Sequence, residues 1–262
     1  MIWLHGTVCG SGTRNSMADY SAYAEEWHKN RKNKRSHSKE YIEKPAVHEA
    51  IGDTRDADIL VLGCGSGVEC DELMQKGARN VHGIDGAKGL IEIAQKEYSN
   101  CTFSCEDIRS FTVQKESFDI CIASLVMHYI PEWQETFSRV WQSLRPGGVF
   151  VMSLNHPVKF GASIVRGAEY SSMLGYEKGK EGIKIYGDYL NKRKIKDVWL
   201  GGLEVEFYHQ SLSDILQEVL HSQFTLISVT EPKPIERAEK EDPEFYEIHS
   251  KIPQFLIVKL QK

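Results

Sequence analysis

One segment constrains what this chain can fold into more than any other: Ile59-Leu60-Val61-Leu62-Gly63-Cys64-Gly65-Ser66-Gly67. A run of branched apolar residues empties into glycines at alternate positions. A second apolar run, Val81-His82-Gly83-Ile84-Asp85, closes on an acid eighteen residues after Gly67. Strand, glycine loop, helix, strand and terminal acid, in that order, are the signature of a doubly wound α/β sheet that holds a nucleoside cofactor. Each part has a physical task. Glycine permits a turn with positive φ and keeps a Cβ out of the ligand's way. The helix that follows presents free N–H groups at its first turn. Asp85 offers two acceptor oxygens to a ribose diol. Alone, the glycines would fit an ordinary βα turn; the ordered set of parts argues against that.

The glycines stop at Gly67 and Val68-Glu69-Cys70-Asp71 follow, so the third glycine of a dinucleotide fingerprint is missing. Here the chain resembles the class I S-adenosylmethionine-dependent methyltransferases. Val61–Gly67 is similar to their first motif, Asp85 to their ribose acid, and Asp107 in Cys105-Glu106-Asp107-Ile108 to their adenine-side acid. Ser117–Ser124 resembles their fourth strand and Leu144–Ser153 their fifth. The resemblance runs from Asp58 to Pro157 by motif, and more loosely to the C-terminus. It implies S-adenosylmethionine as cofactor, with S-adenosylhomocysteine as product. It also implies cofactor contacts from Gly63, Cys64, Gly65, Gly67, Asp85, Gly86, Asp107, Ile108, Ser124 and His128. Tyr20 resembles an N-terminal aromatic that closes over the methionine moiety, although a tyrosine in a helix stripe also fits a core position. A helix N-cap is the plainer reading of Asp107. A nicotinamide dehydrogenase is the more distant alternative for the whole motif.

Composition bounds the rest. The 262 residues suffice for one large α/β domain or two small ones, and 41% apolar residues suffice for a core. A formal charge of −5 argues against general polyanion binding. No apolar run approaches the roughly 18 residues of a membrane-spanning helix. Met1–Gly6 lacks the basic start and long apolar core of a secretory signal, which places the chain in the cytoplasm. Residues 1–16 are rich in Gly, Ser and Thr, and Met17 reads like a fresh start, so 1–16 is expected to be a leader or a disordered extension. The six cysteines match no zinc spacing well and are expected to be reduced and mostly buried, with no metal site.

Residues 17–57 are read as N-terminal helices covering the site. Tyr20, Tyr23, Ala24 and Trp27 make a helical stripe, and Tyr41, Ile42, Val47 and Ile51 make another. The basic stretch Lys29–Lys39 reads as a solvated face and linker, or more sharply as a phosphate-reading patch. Residues 58–157 form the cofactor-binding core. Strands are predicted at Asp58–Leu62, Asn80–Asp85, Cys101–Ser104, Phe118–Ser124 and Gly148–Leu154, with helices near 67–76, 89–97 and 133–143. This alternation implies a doubly wound, mostly parallel, seven-stranded Rossmann-like sheet. Residues 158–205 mix glycines with Tyr170, Tyr176, Tyr186, Tyr189 and Trp199 and read as a substrate cap inserted after the fifth strand. Residues 206–262 complete the sheet with a helix at Leu212–His221 and strands at Thr225–Thr230 and Phe255–Leu260. The resemblance makes the last strand antiparallel, inserted beside its neighbour.

Methyl transfer from a sulfonium needs mainly alignment. An oxygen or nitrogen acceptor also sheds a proton, which invites a general base. Three histidines follow strand ends, where the ligand crevice of such a sheet opens: His128, His156 and His209. Each also has a plain structural reading, as a packed helix-start residue, a loop-carbonyl partner or a helix-entry residue. No Asn/Asp-Pro-Pro-Tyr follows the fourth strand, so methylation of exocyclic base nitrogens is disfavoured, and no nucleic-acid module is recognisable. The expected acceptor is a small, aromatic or partly apolar metabolite methylated on oxygen or nitrogen. An RNA or protein methyltransferase is the alternative suggested by Lys29–Lys39 and Lys192–Lys196, and a non-catalytic cofactor-binding module is a third. The sequence leaves open the acceptor, the atom methylated, which histidine acts as base, and the oligomeric state.

Overall fold

The computed structural model describes residues 20–33, 36–166, 170–199 and 202–262; the expected leader at 1–16 lies outside them. A 3₁₀ turn at Tyr20–Tyr23 leads into α1 (Ala24–Lys32), and a π-helical turn at Lys39–Glu43 runs into α2 (Lys44–Ile51). The core then alternates β1 (Asp58–Leu62), α3 (Val68–Gln75), β2 (Asn80–Asp85), α4 (Lys88–Glu97), β3 (Thr102–Cys105), β4 (Phe118–Ser124), α5 (Gln134–Ser143) and β5 (Leu144–Asn155).

The short α6 (Pro157–Gly161) opens the insertion, whose strands pair as antiparallel hairpins. These are β6 (Ser163–Arg166) with β7 (Tyr170–Met173), β8 (Gly175–Gly179) with β9 (Gly182–Tyr186), and β10 (Arg193–Trp199) with β11 (Leu203–His209). The chain ends with α7 (Leu212–Leu220), β12 (Thr225–Thr230), α8 (Glu236–Glu241), α9 (Pro243–His249) and β13 (Phe255–Gln261).

Seven strands form one sheet in the order β3-β2-β1-β4-β5-β13-β12. The first five are parallel, and β13 runs antiparallel between β5 and β12, as expected. The run Asp58–Leu62 forms the central strand because every residue of it is buried. Alternate side chains of a strand point to opposite faces. Leu60 and Leu62 therefore join the core under α5 and α7, while Ile59 and Val61 join the core under α2, α3 and α4. A parallel sheet covered on both faces needs this unbroken apolar run. The α5 side is aromatic, with Trp133 edge-on to Phe137 and Phe137 edge-on to Phe150 and Phe224.

At the amino end of the sheet, Asp58 accepts hydrogen bonds from Arg79, Asn80 and Arg145. Those from Arg79 do most to hold its carboxyl well below the usual carboxylate range, against the opposing effect of burial.

Some boundaries differ from expectation. β5 begins at Leu144 rather than Gly148, because Leu144 pairs with Phe118 before the register slips and resumes at Ile120 and Val149. A bulge of this kind re-aims a strand without ending it. The helices α8 and α9 were not expected, and Asp242 caps α9 by accepting from the Phe245 N–H at 3.2 Å. α7 starts on a reciprocal cap: Ser211 Oγ accepts from Asp214 N–H, and Asp214 accepts from Ser211 N–H.

Candidate active site

β1 lies between β2 and β4, so the strand order reverses at its carboxyl end, where ligands of such sheets bind. A cavity of about 850 Å³ opens there. Gly63, Cys64, Gly65, Asp85, Gly86, Ile108, Ser124, Tyr20 and His128, all named from the sequence, line it. Gly67 does not; it holds a left-handed conformation as the N-cap of α3.

The glycine loop is built for close approach. Gly63 has φ +66°, and a Cβ placed there would stand 2.5 Å from Val126 Cγ2. Gly65 has φ +56°, with the nearest atom to a Cβ being Trp27 Nε1 at 3.4 Å. Asp85 braces the loop from β2: its carboxylate accepts from Gly65 N–H at 2.9 Å and from Ala87 N–H at 2.8 Å. Burial raises its pKa and these two bonds oppose the rise. Each oxygen keeps acceptor capacity for a diol. Ala87, Leu90 and Ile108 add an apolar wall beside it, which suits a flat heterocycle. The residues present therefore fit a nucleoside.

Asp107 is not brought to this wall. Its carboxylate accepts from the backbone N–H and the guanidinium of Arg109. Burial pushes its pKa up, but the Arg109 bonds outweigh that and hold it below the usual range. The segment is a turn rather than a helix start, so the capping alternative fails as well.

At the other end of the cavity, His128 is buried, and neither ring nitrogen has a partner among the described residues. Burial, with a smaller repulsion from Lys159, lowers its pKa to about 3. Tyr129 and Phe207 pack against its ring at 4.5 and 5.6 Å. Tyr129 Oη meets Tyr20 Oη at 2.6 Å, and Tyr20 stands edge-on to Trp27. Burial pushes the Tyr20 hydroxyl up to about 12. The covering segment is pinned further by His28 Nδ1 to Ser66 Oγ at 3.0 Å and by Gly89 N–H to Ser21 Oγ at 3.2 Å.

His156 and His209 lie outside the cavity wall. His156 is buried with both nitrogens committed: Nε2 donates to Glu231 at 2.7 Å and Nδ1 accepts from Val158 N–H at 3.3 Å. It is the N-cap of α6, followed by Pro157 at the first helical position. His209, at the end of β11, donates from Nε2 to the Tyr189 carbonyl at 2.9 Å. Burial lowers its pKa. Both are occupied by structural partners.

The structure adds a charged group that sequence reasoning missed. Lys39 is buried, with Glu43 at 3.8 Å and Glu69 at 4.0 Å. Lys39 and Glu69 line the cavity. Ser124 donates to Glu69, and Ser153 donates to Glu43. Burial depresses the Lys39 pKa. For Glu69, burial works upward, but the charges of Lys39 and Arg31 and the Ser124 bond hold its pKa down. Lys39 thus belongs neither to a solvated face nor to a phosphate-reading patch. The sequence signal available was Glu69 itself, two residues past the glycine loop, where any side chain stands close to the ligand.

Comparison with known proteins agrees with this geometry. Residues 60–152 match the family described as "Methyltransferase domain". The crystal structure of an S-adenosylmethionine dependent methyltransferase from Mesorhizobium loti superposes with a TM-score of 0.68 at 28% identity, covering 84% of this chain and 97% of that one. An uncharacterized protein of Haemophilus influenzae is 23% identical over 231 residues, 85% of this chain and 88% of its own length. A ubiquinone biosynthesis O-methyltransferase of Coxiella burnetii is 29% identical over 117 residues, which is 43% of this chain and 50% of that protein. The chain therefore spans about half the length of that named relative. Among the described residues no helix is long and apolar enough to cross a membrane. The match falls on the strands and loop that build the cavity, and the shared fold runs through nearly the whole of the Mesorhizobium enzyme. The chain is accordingly an enzyme of the class I S-adenosylmethionine-dependent methyltransferase family, with S-adenosylmethionine as its cofactor.

Proposed function

We propose that the enzyme methylates an oxygen or nitrogen of a small, aromatic or partly apolar metabolite, with His128 accepting the proton that the acceptor loses. The observation that carries this reading is the pair of unpartnered nitrogens on a buried histidine in the cavity wall. A buried polar group without a partner is costly, so its persistence points to a ligand that completes it.

S-adenosylmethionine, when bound, supplies a methyl group on a positively charged sulfur. Asp85 would hold the ribose, Ile108 and Leu90 would flank the base, and the Gly63–Gly65 backbone would admit the amino-acid portion. Arg31 lines the same cavity and forms no ion pair with a described residue, which makes it the cation available to the amino-acid carboxylate. Tyr20, Trp27 and Tyr129 exclude water from above. His128 is neutral at any working pH because burial keeps its pKa at about 3. It accepts a hydrogen bond from the acceptor's O–H or N–H and takes that proton at a ring nitrogen. The insertion at 158–205 serves as a cap: its Phe160 packs edge-on to Phe207, which in turn packs against His128 and Tyr129. Among the described residues no disulfide joins the cysteines, in keeping with a reducing cytoplasmic setting.

The test is transfer of label from methyl-labelled S-adenosylmethionine into a cell extract, followed by separation by size. Low-mass label that disappears with His128→Asn while S-adenosylhomocysteine affinity holds supports the reading. Label in RNA or protein overturns the acceptor class. Asp85→Ala binding the cofactor as tightly as the parent overturns the site.

A further inference from the structure

We propose that the methyl acceptor carries an oxyanion, a carboxylate or a phosphate, that docks on Lys159 beside Asn155 at the His128 end of the cavity. This rests on the preceding reading of that end as the acceptor's place.

Lys159 and Asn155 both line the cavity. The Lys159 ammonium donates to Asn155 Oδ1 at 3.2 Å and lies over the rings of Phe160 and Phe255, 5.3 and 6.0 Å from their centroids. No carboxylate of a described residue is within 4 Å of it; the charge of Asp197 acts on it only from beyond ion-pair range. Although the residue as a whole is exposed, enough protein crowds the ammonium to depress its pKa. The contrast with Lys39 decides the matter. Lys39 faces Glu43 and Glu69, so its charge is already matched. The cavity's own anions are matched too, Asp85 by two N–H groups and Glu69 by Lys39 and Ser124. If Arg31 serves the cofactor's carboxylate, Lys159 is the cation left over, with protons still free for an anionic oxygen.

The histidines beside α6 belong to the structural frame that holds this helix. His156 caps α6 and ties it to Glu231. At its other end, Gly161 packs so closely that a Cβ there would meet Tyr189 at 2.8 Å and His209 at 3.3 Å. Lys159 is therefore carried on a helix clamped at both ends. Its charge also reaches His128, whose proton affinity it reduces. An anion docked on Lys159 cancels that repulsion, so the right acceptor strengthens its own base.

The experiment is calorimetric titration of S-adenosylhomocysteine into the parent, Lys159→Met and Lys159→Arg, then of benzoate, benzamide and inorganic phosphate into each loaded protein. The expected result is that benzoate or phosphate binds the parent about tenfold tighter than benzamide. That preference disappears in Lys159→Met and survives in Lys159→Arg, with S-adenosylhomocysteine affinity unchanged in both. Benzoate ahead of phosphate identifies a carboxylate acceptor, and the reverse order a phosphate. Equal binding of all three probes to the parent, or an anion preference that survives Lys159→Met, overturns the proposal. A parent that fails to bind S-adenosylhomocysteine at all sinks the reading of the cavity instead.

Discussion

Replacing Gly63 by alanine tests the cradle at its tightest point. The backbone there is left-handed, at φ +66°, which costs an L-residue roughly 1–2 kcal/mol. The new Cβ would also sit 2.5 Å from Val126 Cγ2 and 2.8 Å from Val126 Cβ. The branch carbon cannot swing away by a rotamer change, so an overpacking cost of about 1–3 kcal/mol adds to the first. Together these destabilise by about 2–5 kcal/mol, or a fall in Tm of roughly 4–20 °C for a chain of this size. Gly65→Ala supplies the control. Its backbone is also left-handed, but its Cβ finds only an ordinary contact at 3.4 Å with Trp27, so it loses roughly the 1–2 kcal/mol of the backbone alone. The stiffening of the unfolded chain by alanine is common to both variants and cancels. Thermal unfolding of the two measures the Val126 contact by difference. Adding Val126→Ala to Gly63→Ala removes the contacts of the two methyl groups, leaves the one to Cβ, and should recover part of the loss. Equal Tm values for Gly63→Ala and Gly65→Ala, or no recovery in the double variant, would refute the reasoning.

Three further outcomes are expected. His128 has a pKa of about 3 in the folded protein against roughly 6.5 in the unfolded chain. Above pH 6.5 it makes no difference between the states; as pH falls from about 6.5 to about 3 the unfolded chain takes a proton that the folded one refuses, and stability drops by at most about 1.4 kcal/mol per pH unit. His128→Gln should remove that part of the slope in urea titrations at pH 7 and pH 4, and an unchanged slope would disprove the assignment. His156→Ala and His209→Ala should lower stability by about 1–3 kcal/mol while leaving turnover of the folded enzyme within about threefold; a hundredfold loss of kcat at unchanged Tm would restore them as catalytic residues. Ser211→Ala should cost about 1 kcal/mol by removing the cap of α7, read from chemical denaturation, with Ser211→Thr recovering most of it.

Much of the fold was legible because its signals are local. Ile59–Leu62 is a strand in any reading, since four consecutive apolar residues leave no polar face to place. The glycine loop and Asp85 announce themselves because their task depends on backbone freedom and on a fixed spacing. Asp107 has a partner two residues away: an Asp-x-Arg pair closes on itself in a turn, which the motif alone does not show. Of the two helices before β13, α9 also had a local signal in Asp242-Pro243, a cap residue followed by proline. The histidines were a harder case. A strand tip puts a residue near the crevice, but His156 turns to cap α6 and His209 turns toward Tyr189, and both directions depend on the insertion. Lys39 was open to local reading only through Glu43, one helical turn on. Its burial depends on Glu69, thirty residues away, and a run of lysines and arginines gives no hint which one will be taken inside.

The cover over the cavity also sets a clock. The same short segment that lines the cavity stands over one side of the way in for a nucleoside. Side-chain hydrogen bonds from Tyr20, Ser21 and His28 hold it down, at a net 0.5–1.5 kcal/mol or so apiece. Closure of that strength leaves an open minority of roughly 0.1–10% of molecules. If spent cofactor leaves by that side, its departure follows a local opening, and a variant that loosens Tyr20 is expected to turn over faster while holding its cofactor less well.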